Sequence, residues 1–185
     1  MRILLATGNL HKVEEVRDIL GPAHSVDAVD TGVEETGSTF EENALLKARA
    51  LAAATGELAV ADDSGIEIDH LDGAPGIHSA RWTGDGDWIS RVLRELDGVE
   101  PAGRTCRYVC AAAAVWPDGR EQVARGEVEG VIVDAPRGEG GFGYDPIVAP
   151  VEGDGRTFGE MTAAEKHAIS HRARAFGSLL PLLDA

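Results

Sequence analysis

The sequence predicts one globular domain in which β-strands alternate with α-helices, and three observations point to it. The length, 185 residues, suits a single chain segment that buries its own core. Short apolar runs closed by Gly or Pro alternate with longer stretches at helical spacing. No repeat, linker or low-complexity segment interrupts them, and a 43% hydrophobic content is that of a folded chain rather than a disordered one.

Ile3 to Ala6 is a continuous apolar run that stops at Thr7-Gly8-Asn9, the pattern of a buried strand meeting a tight turn. Leu10, Val13, Val16, Ile19 and Leu20 then keep helical spacing, with Asn9 as the N-cap and Gly21-Pro22 as the stop. Ser25 to Asp30 reads as a second strand, and Val33 to Ser38 as a polar loop. Thr39 with Glu42 makes a capping-box pattern, Leu45, Ala48, Leu51 and Ala52 form a buried stripe, and Gly56 ends that helix. Leu58 to Ala61 reads as a strand ending at Asp62-Asp63-Ser64-Gly65, with alternation from Ile66 to Leu71 beyond it. Gly73 to Gly76 is a loop, and Trp88 to Leu96 a short amphipathic helix capped by Asp87. Thr105 to Trp116 and Glu121 to Val133 are long strands joined by Pro117-Asp118-Gly119, a strong hairpin signal. After the glycine-rich run Gly138 to Gly143, two stretches, Thr162 to Ile169 and Ser170 to Leu183, are helical in pattern.

Charge narrows the function. Acidic residues outnumber basic ones 32 to 17, for a net charge of −15. Such a field repels polyanions, so bulk binding to nucleic acid or to an anionic membrane is not expected. A small polyphosphate would have to be held locally, by a few Lys and Arg side chains, backbone N–H groups and a divalent cation. The two cysteines, Cys106 and Cys110, lie in one predicted strand, where four residues span roughly 13 Å. A disulfide needs Cα atoms within about 7 Å, so they read as small buried hydrophobes. The N-terminal apolar run is too short for a signal peptide, and no stretch reaches membrane-spanning length. A reducing cytoplasm is the expected compartment.

Several short segments offer chemistry. Thr7-Gly8-Asn9-Leu10-His11-Lys12 places backbone N–H groups and a Lys at a helix N-terminus, which suits phosphate; it lacks Walker A spacing, and Gly8 at a simple turn with a solvated Lys12 is the ordinary alternative. Asp62 and Asp63 are adjacent carboxylates of the kind magnesium accepts, and on an extended chain only one of them faces a given metal. Glu34 and Glu35 are either an exposed acidic loop or the source of a second carboxylate. Gly141 to Pro146 sets Phe142 and Tyr144 among glycines beside Asp145, giving rings that stack on a flat ligand or pack into the core. Lys166 and Arg172 would lie about 240° apart on one continuous helix and could not converge. A break near Ile169 would instead make His171 and Arg172 the first residues of a new helix, aimed at an anion or a purine carbonyl.

Taken together, Thr7-Gly8-Asn9 with Lys12, Glu34-Glu35-Thr36-Gly37, Thr39 to Ala44, Ala61 to Gly65, Gly73 to Gly76, Gly141 to Pro146, Glu165-Lys166 and Ser170-His171-Arg172 closely resemble the inosine triphosphate pyrophosphatase family, also called dITP/XTP pyrophosphatases. The match spans nearly the whole chain and loosens from Ile77 to Leu96. The resemblance implies an α/β fold with a long, bent mixed sheet flanked by helices, two lobes with a central active-site cleft, and a homodimer. It implies hydrolysis of noncanonical purine nucleoside triphosphates to the monophosphate and pyrophosphate. By motif, Thr7, Gly8, Asn9, Leu10, His11 and Lys12 would grip the triphosphate, Glu34 and Asp63 would bind Mg2+, Asp63 would be the general base, and Ser64 would touch the substrate. Glu34 is preferred to Glu35 by its distance from Gly37. Phe142, with Gly143 and Tyr144, would line the base, Asp145 would contact the nucleoside, and Lys166, His171 and Arg172 would read the purine edge or support the phosphates. A catalytically idle nucleotide sensor and a Maf-like pyrophosphatase for modified pyrimidines are the competing readings. The intact Glu34, Asp63 and Lys12 oppose the first, and Ser170-His171-Arg172 the second.

Overall fold

The computed structural model describes residues 2–84 and 86–183. Its fold is α/β, built on a six-stranded mixed sheet of order β2-β1-β3-β4-β5-β6. Strands are β1 Arg2–Ala6, β2 Ser25–Val29, β3 Ala59–Ile68, β4 Thr105–Val115, β5 Glu121–Ile132 and β6 Val148–Pro150; helices are α1 Leu10–Leu20, α2 Phe40–Thr55, α3 Trp88–Glu95, α4 Ala163–Ile169 and α5 His171–Leu183. β1 runs parallel to both β2 and β3, and β6 runs antiparallel to β5. The chain forms two compact units, and β3, β4 and β5 each contribute residues to both.

The first unit comprises residues 2–64, 110–126 and 171–183. Ile3 and Leu5 of β1, Val13, Val16 and Leu20 of α1, Cys110, Ala112 and Ala114 of β4, and Phe176 and Leu179 of α5 share one core. α1 begins because the Asn9 side chain accepts from the backbone N–H groups of His11 and Lys12, and it ends at Gly21. α2 is capped by Thr39, which accepts from Glu42 N. Gly126 of β5 allows the first turns of α5 to lie directly on the strand: a Cβ there would sit 2.2 Å from His171 O and 2.5 Å from Ala175 N. The β4–β5 turn closes as Trp116 N donates to Arg120 O and Gly119 N to Trp116 O, with Gly119 at φ 88°, as the hairpin signal predicted.

The second unit comprises residues 65–84, 86–109 and 127–170. Its core joins Ile66 and Ile68 of β3, Val92 of α3, Cys106 and Tyr108 of β4, Ile132 of β5, and Tyr144, Ile147 and Phe158 of the later loops. Thr162 and Glu165 form a full capping box for α4.

Two expectations need correction, and one strand had no counterpart in the sequence reading. β3 does not end at Asp62; it runs unbroken through the aspartates to Ile68, because the apolar residues beyond them are fully buried and keep the backbone in the sheet. Residues 69–71 turn into a 3-10 helix instead of continuing that alternation. β6 is a short strand that three residues could not announce. Both cysteines are free and buried, as expected. No helix among the described residues is long and apolar enough to cross a membrane.

Candidate active site

In the first unit, the charged residues gather around Asp62 and Asp63. Consecutive residues on a strand point to opposite sides, and the two aspartates do take different partners. Asp62, fully buried, meets Lys12 Nζ at 3.1 Å and Arg172 Nη2 at 3.2 Å. Arg172 also donates to Ser64 Oγ at 2.8 Å and to Glu15. Asp63 accepts from Asn43 Nδ2 at 3.1 Å, and Lys47 Nζ lies 3.6 Å from its other oxygen. Lys47 is in turn 2.6 Å from Glu35.

These surroundings separate the two carboxyls. Burial would raise Asp62, but Lys12, then Arg172 and Lys47, outweigh it and hold the group below the usual carboxylate range. For Asp63 burial prevails over Lys47 and Lys12, with Glu35 adding to the effect, so this carboxyl is raised. Two neighbouring acids driven in opposite directions are a common basis of acid–base division of labour.

At the start of α1, a Cβ on Gly8 would lie 2.5 Å from Asp30 Oδ2, the end of an exposed side chain that can turn aside. Thr7 Oγ1 accepts from Asn9 N, while His11 N and Lys12 N are directed at the Asn9 side chain. Lys12 Nζ reaches Asp62, whereas Leu10 and His11 are exposed. Glu34, preferred from its spacing, is exposed and makes no hydrogen bond or ion pair among the described residues; Glu35 is the one drawn towards Asp63 through Lys47.

In the second unit, Asp145 is 2% exposed and closely held. Its Oδ2 accepts from Lys166 Nζ at 2.7 Å and Phe142 N at 2.9 Å, and its Oδ1 accepts from the Tyr108 hydroxyl at 3.0 Å. Lys166 Nζ lies 4.9 Å from the centroid of the half-buried Phe142 ring. Gly141, at φ 66°, approaches so near that a Cβ would fall 1.9 Å from Asp145 Oδ2, and Gly143 also has a positive φ. Tyr144 is not presented to a ligand: it is buried, stacks on Trp88 and donates its hydroxyl to Ser79 O at 2.7 Å.

The helix break is present. Ser170 is extended at φ −68° and ψ 152°, α4 ends at Ile169, and α5 starts with His171 and Arg172, both buried. Arg172 is 1% exposed, and its guanidinium is engaged by Glu15, Asp62 and Ser64. Sequence reasoning missed Glu15, Asn43, Lys47 and Tyr108. Asn43 and Lys47 left a signal, polar residues four apart beside the buried stripe of α2, and Glu15 is a buried charge on the apolar side of α1. Tyr108 left none, since a tyrosine in a buried strand is ordinary.

An α/β fold carrying a buried carboxylate and ammonium cluster defines the class: a protein equipped to handle a small, highly charged ligand. The chain belongs to the Ham1 family, whose model matches residues 3–182. A protein of Symbiobacterium thermophilum named dITP/XTP pyrophosphatase is 50% identical, over 100% of this chain and 95% of its own length. The Bacillus subtilis protein of the same name is 46% identical, over 98% and 96%. Among solved structures, the Staphylococcus aureus Ham1 protein superimposes with a TM-score of 0.85 at 37% identity, covering 100% of this chain and 98% of the other. A nucleoside-triphosphatase, dITP/XTP pyrophosphatase, from Mycobacterium abscessus gives 0.77 at 41% identity, covering 98% and 100%. The resemblance drawn from the motifs is borne out.

Proposed function

We propose that this chain hydrolyses noncanonical purine nucleoside triphosphates, ITP, dITP and XTP, to the nucleoside monophosphate and pyrophosphate. The full-length relatives named dITP/XTP pyrophosphatase support the substrate class. The observation that carries the chemistry is the pair of adjacent aspartates with different partners, Asp62 buried against Lys12 and Arg172 and Asp63 held by Asn43 beside Lys47.

Asp63 is the general base. It takes a proton from the water that attacks the α-phosphorus; the bond from that phosphorus to the oxygen bridging to the β-phosphorus breaks, and pyrophosphate leaves. Lys12 receives charge developing on the leaving group, and Lys47 and Asn43 keep Asp63 oriented. Arg172 acts at one remove, holding Asp62 and Ser64 in place.

The donor set suits a hard divalent cation. It consists of carboxylate oxygens, and Asp62 Oδ1 is buried without a hydrogen-bond partner. Among the described residues no three His, Cys, Asp or Glu side chains gather into a metal cage, so phosphate oxygens of the substrate would have to complete the shell. Asp63 and Glu34 would hold Mg2+, which when bound neutralises charge on the phosphates. Glu35 is already engaged by Lys47, whereas Glu34 has no such partner among the described residues.

For the base, Phe142 stacks on the ring, Asp145 accepts a hydrogen bond from it, and His171 donates to the carbonyl at C6. Adenine carries an amine there, so the buried donor would be left unpaired, a costly outcome. The proposal extends to a cytoplasmic homodimer, as the family resemblance implies. Pyrophosphate release from a panel of nucleoside triphosphates, with magnesium and with a chelator, tests it. ITP and XTP should be turned over only with magnesium, and Asp63→Asn should lower kcat by roughly 100-fold or more. Near-normal turnover by that variant at saturating magnesium removes Asp63 as base, and preference for a pyrimidine removes the base assignment. Glu34→Gln should raise the magnesium requirement more than Glu35→Gln.

A further inference from the structure

Residues 33–38 carry both loop glutamates, and two side chains of α2 tie that loop to Asp63. Asn43 and Lys47 stand four residues apart and so share one face of the helix. Lys47 Nζ lies 2.6 Å from Glu35 and 3.6 Å from Asp63 Oδ1. Asn43, 0% exposed, makes the second tie: its Oδ1 accepts from Gly37 N at 2.8 Å, and its Nδ2 donates to Asp63 Oδ2 at 3.1 Å.

Asn43 thus faces a donor on one side and a carboxylate on the other, and an amide answers both. The Gly37 N–H can only donate, which fixes the amide oxygen on the loop side and turns the NH2 towards Asp63. An aspartate could accept from Gly37 but would set a second carboxylate against Asp63, and an aliphatic residue would leave both partners unpaired. The loop also lies close against the start of α2. A Cβ on Gly37 would fall 2.7 Å from Asn43 Oδ1, 2.7 Å from Glu42 Cβ and 3.0 Å from Asn43 N. Ser38 continues the contact, donating its N–H and its hydroxyl to Glu42 at 2.6 and 2.8 Å.

We infer that Asn43 is a positioning residue for the metal site: its buried amide holds the loop that carries Glu34 and the carboxylate of Asp63 in one register, so that both reach the same cation. The inference rests on the proposed reading that Glu34 and Asp63 hold Mg2+. Asn43 acts through these two carboxylates and takes no part in the chemical step. Without it, Asp63 loses the donor that fixes Oδ2 and the loop loses its tie at Gly37, so ordering both becomes an added cost of binding the cation.

The test measures two metal constants in the wild type, Asn43→Ala, Gly37→Ala and the double variant. One is the magnesium concentration for half-maximal turnover of saturating ITP; the other is the dissociation constant for Mn2+ alone, followed by electron paramagnetic resonance without nucleotide. In Asn43→Ala both should rise about tenfold or more, the range for loss of a hydrogen-bond partner behind a metal ligand. Gly37→Ala displaces the loop and leaves the Asn43 side chain, so it should weaken the metal in the same direction; it also serves if Asn43→Ala does not fold. Because both changes break one link, the double variant should lose less than the product of the two single effects. A merely structural role would reduce the amount of folded enzyme, and with it the apparent kcat, and leave both metal constants where they were. Constants within about twofold of the wild type in folded Asn43→Ala overturn the inference. Glu34→Gln separates the two levels: if it weakens the metal while the Asn43 and Gly37 variants do not, only this inference falls. If Glu34→Gln also leaves both constants unchanged, the assignment of Glu34 to the metal falls with it.

Discussion

Replacing Arg172 with Met tests whether the cluster behind Asp62 is held as described. The guanidinium joins Glu15, Asp62 and Ser64, and both carboxylates are buried, at 8% and 0% exposure. With Arg172 present, two carboxylates face two cations, Lys12 and Arg172. Methionine matches much of the side-chain bulk and removes the charge that Glu15 and Asp62 share, leaving Lys12, at 3.1 Å, and Lys47 as the cations acting on Asp62. Removing one member of a buried ion pair typically costs about 3–5 kcal/mol, because the remaining charge is stranded away from water. At roughly 2.1 cal/mol/K of unfolding entropy per residue, a chain of this size should lose about 8–13 °C in Tm. Urea denaturation of the wild type, Arg172→Met, Glu15→Gln and the double variant measures both the loss and its origin. If stranded charge is the cause, the double variant is less destabilised than the two single losses added together. Loss of less than about 1 kcal/mol in Arg172→Met, the range of an exposed pair, would refute the reasoning.

Two further outcomes follow from packing and burial. Gly126→Ala should destabilise the protein by about 1–3 kcal/mol or more, since its Cβ would meet the α5 backbone at 2.2 and 2.5 Å, and a melting temperature equal to the wild type would show that α5 does not rest on β5 as described. Both tyrosines should resist ionisation: burial raises Tyr108, and burial, opposed only in part by Arg91, raises Tyr144. Raised folded values mean that this contribution to stability is complete below the unfolded value near 10 and is lost as pH rises from there towards the folded values. Absorbance titration should therefore show no phenolate signal until alkaline unfolding releases both rings together, and a separate early transition would contradict their burial.

The sequence by itself determined the local elements and the order of the motifs. Hydrophobic spacing and caps are written within a few residues of one another, so α1, α2, the β4–β5 hairpin and the stop before His171 were all legible, and the motif order was enough to indicate the family. The aspartates were legible as chemistry but not as geometry. Their placement within an uninterrupted β3 depends on burial of Ile66 and Ile68 by distant segments. Only the tertiary structure decided which charges meet: Arg172 is 157 positions from Glu15 and 110 from Asp62, Tyr108 is 37 from Asp145, and Lys47 reaches Glu35 across a loop. Those pairings are set by strand order and by the break at Ser170, after which α5 begins. A one-dimensional pattern therefore presents Arg172 as a free donor for substrate, and the folded chain makes it the counter-ion of two buried carboxylates.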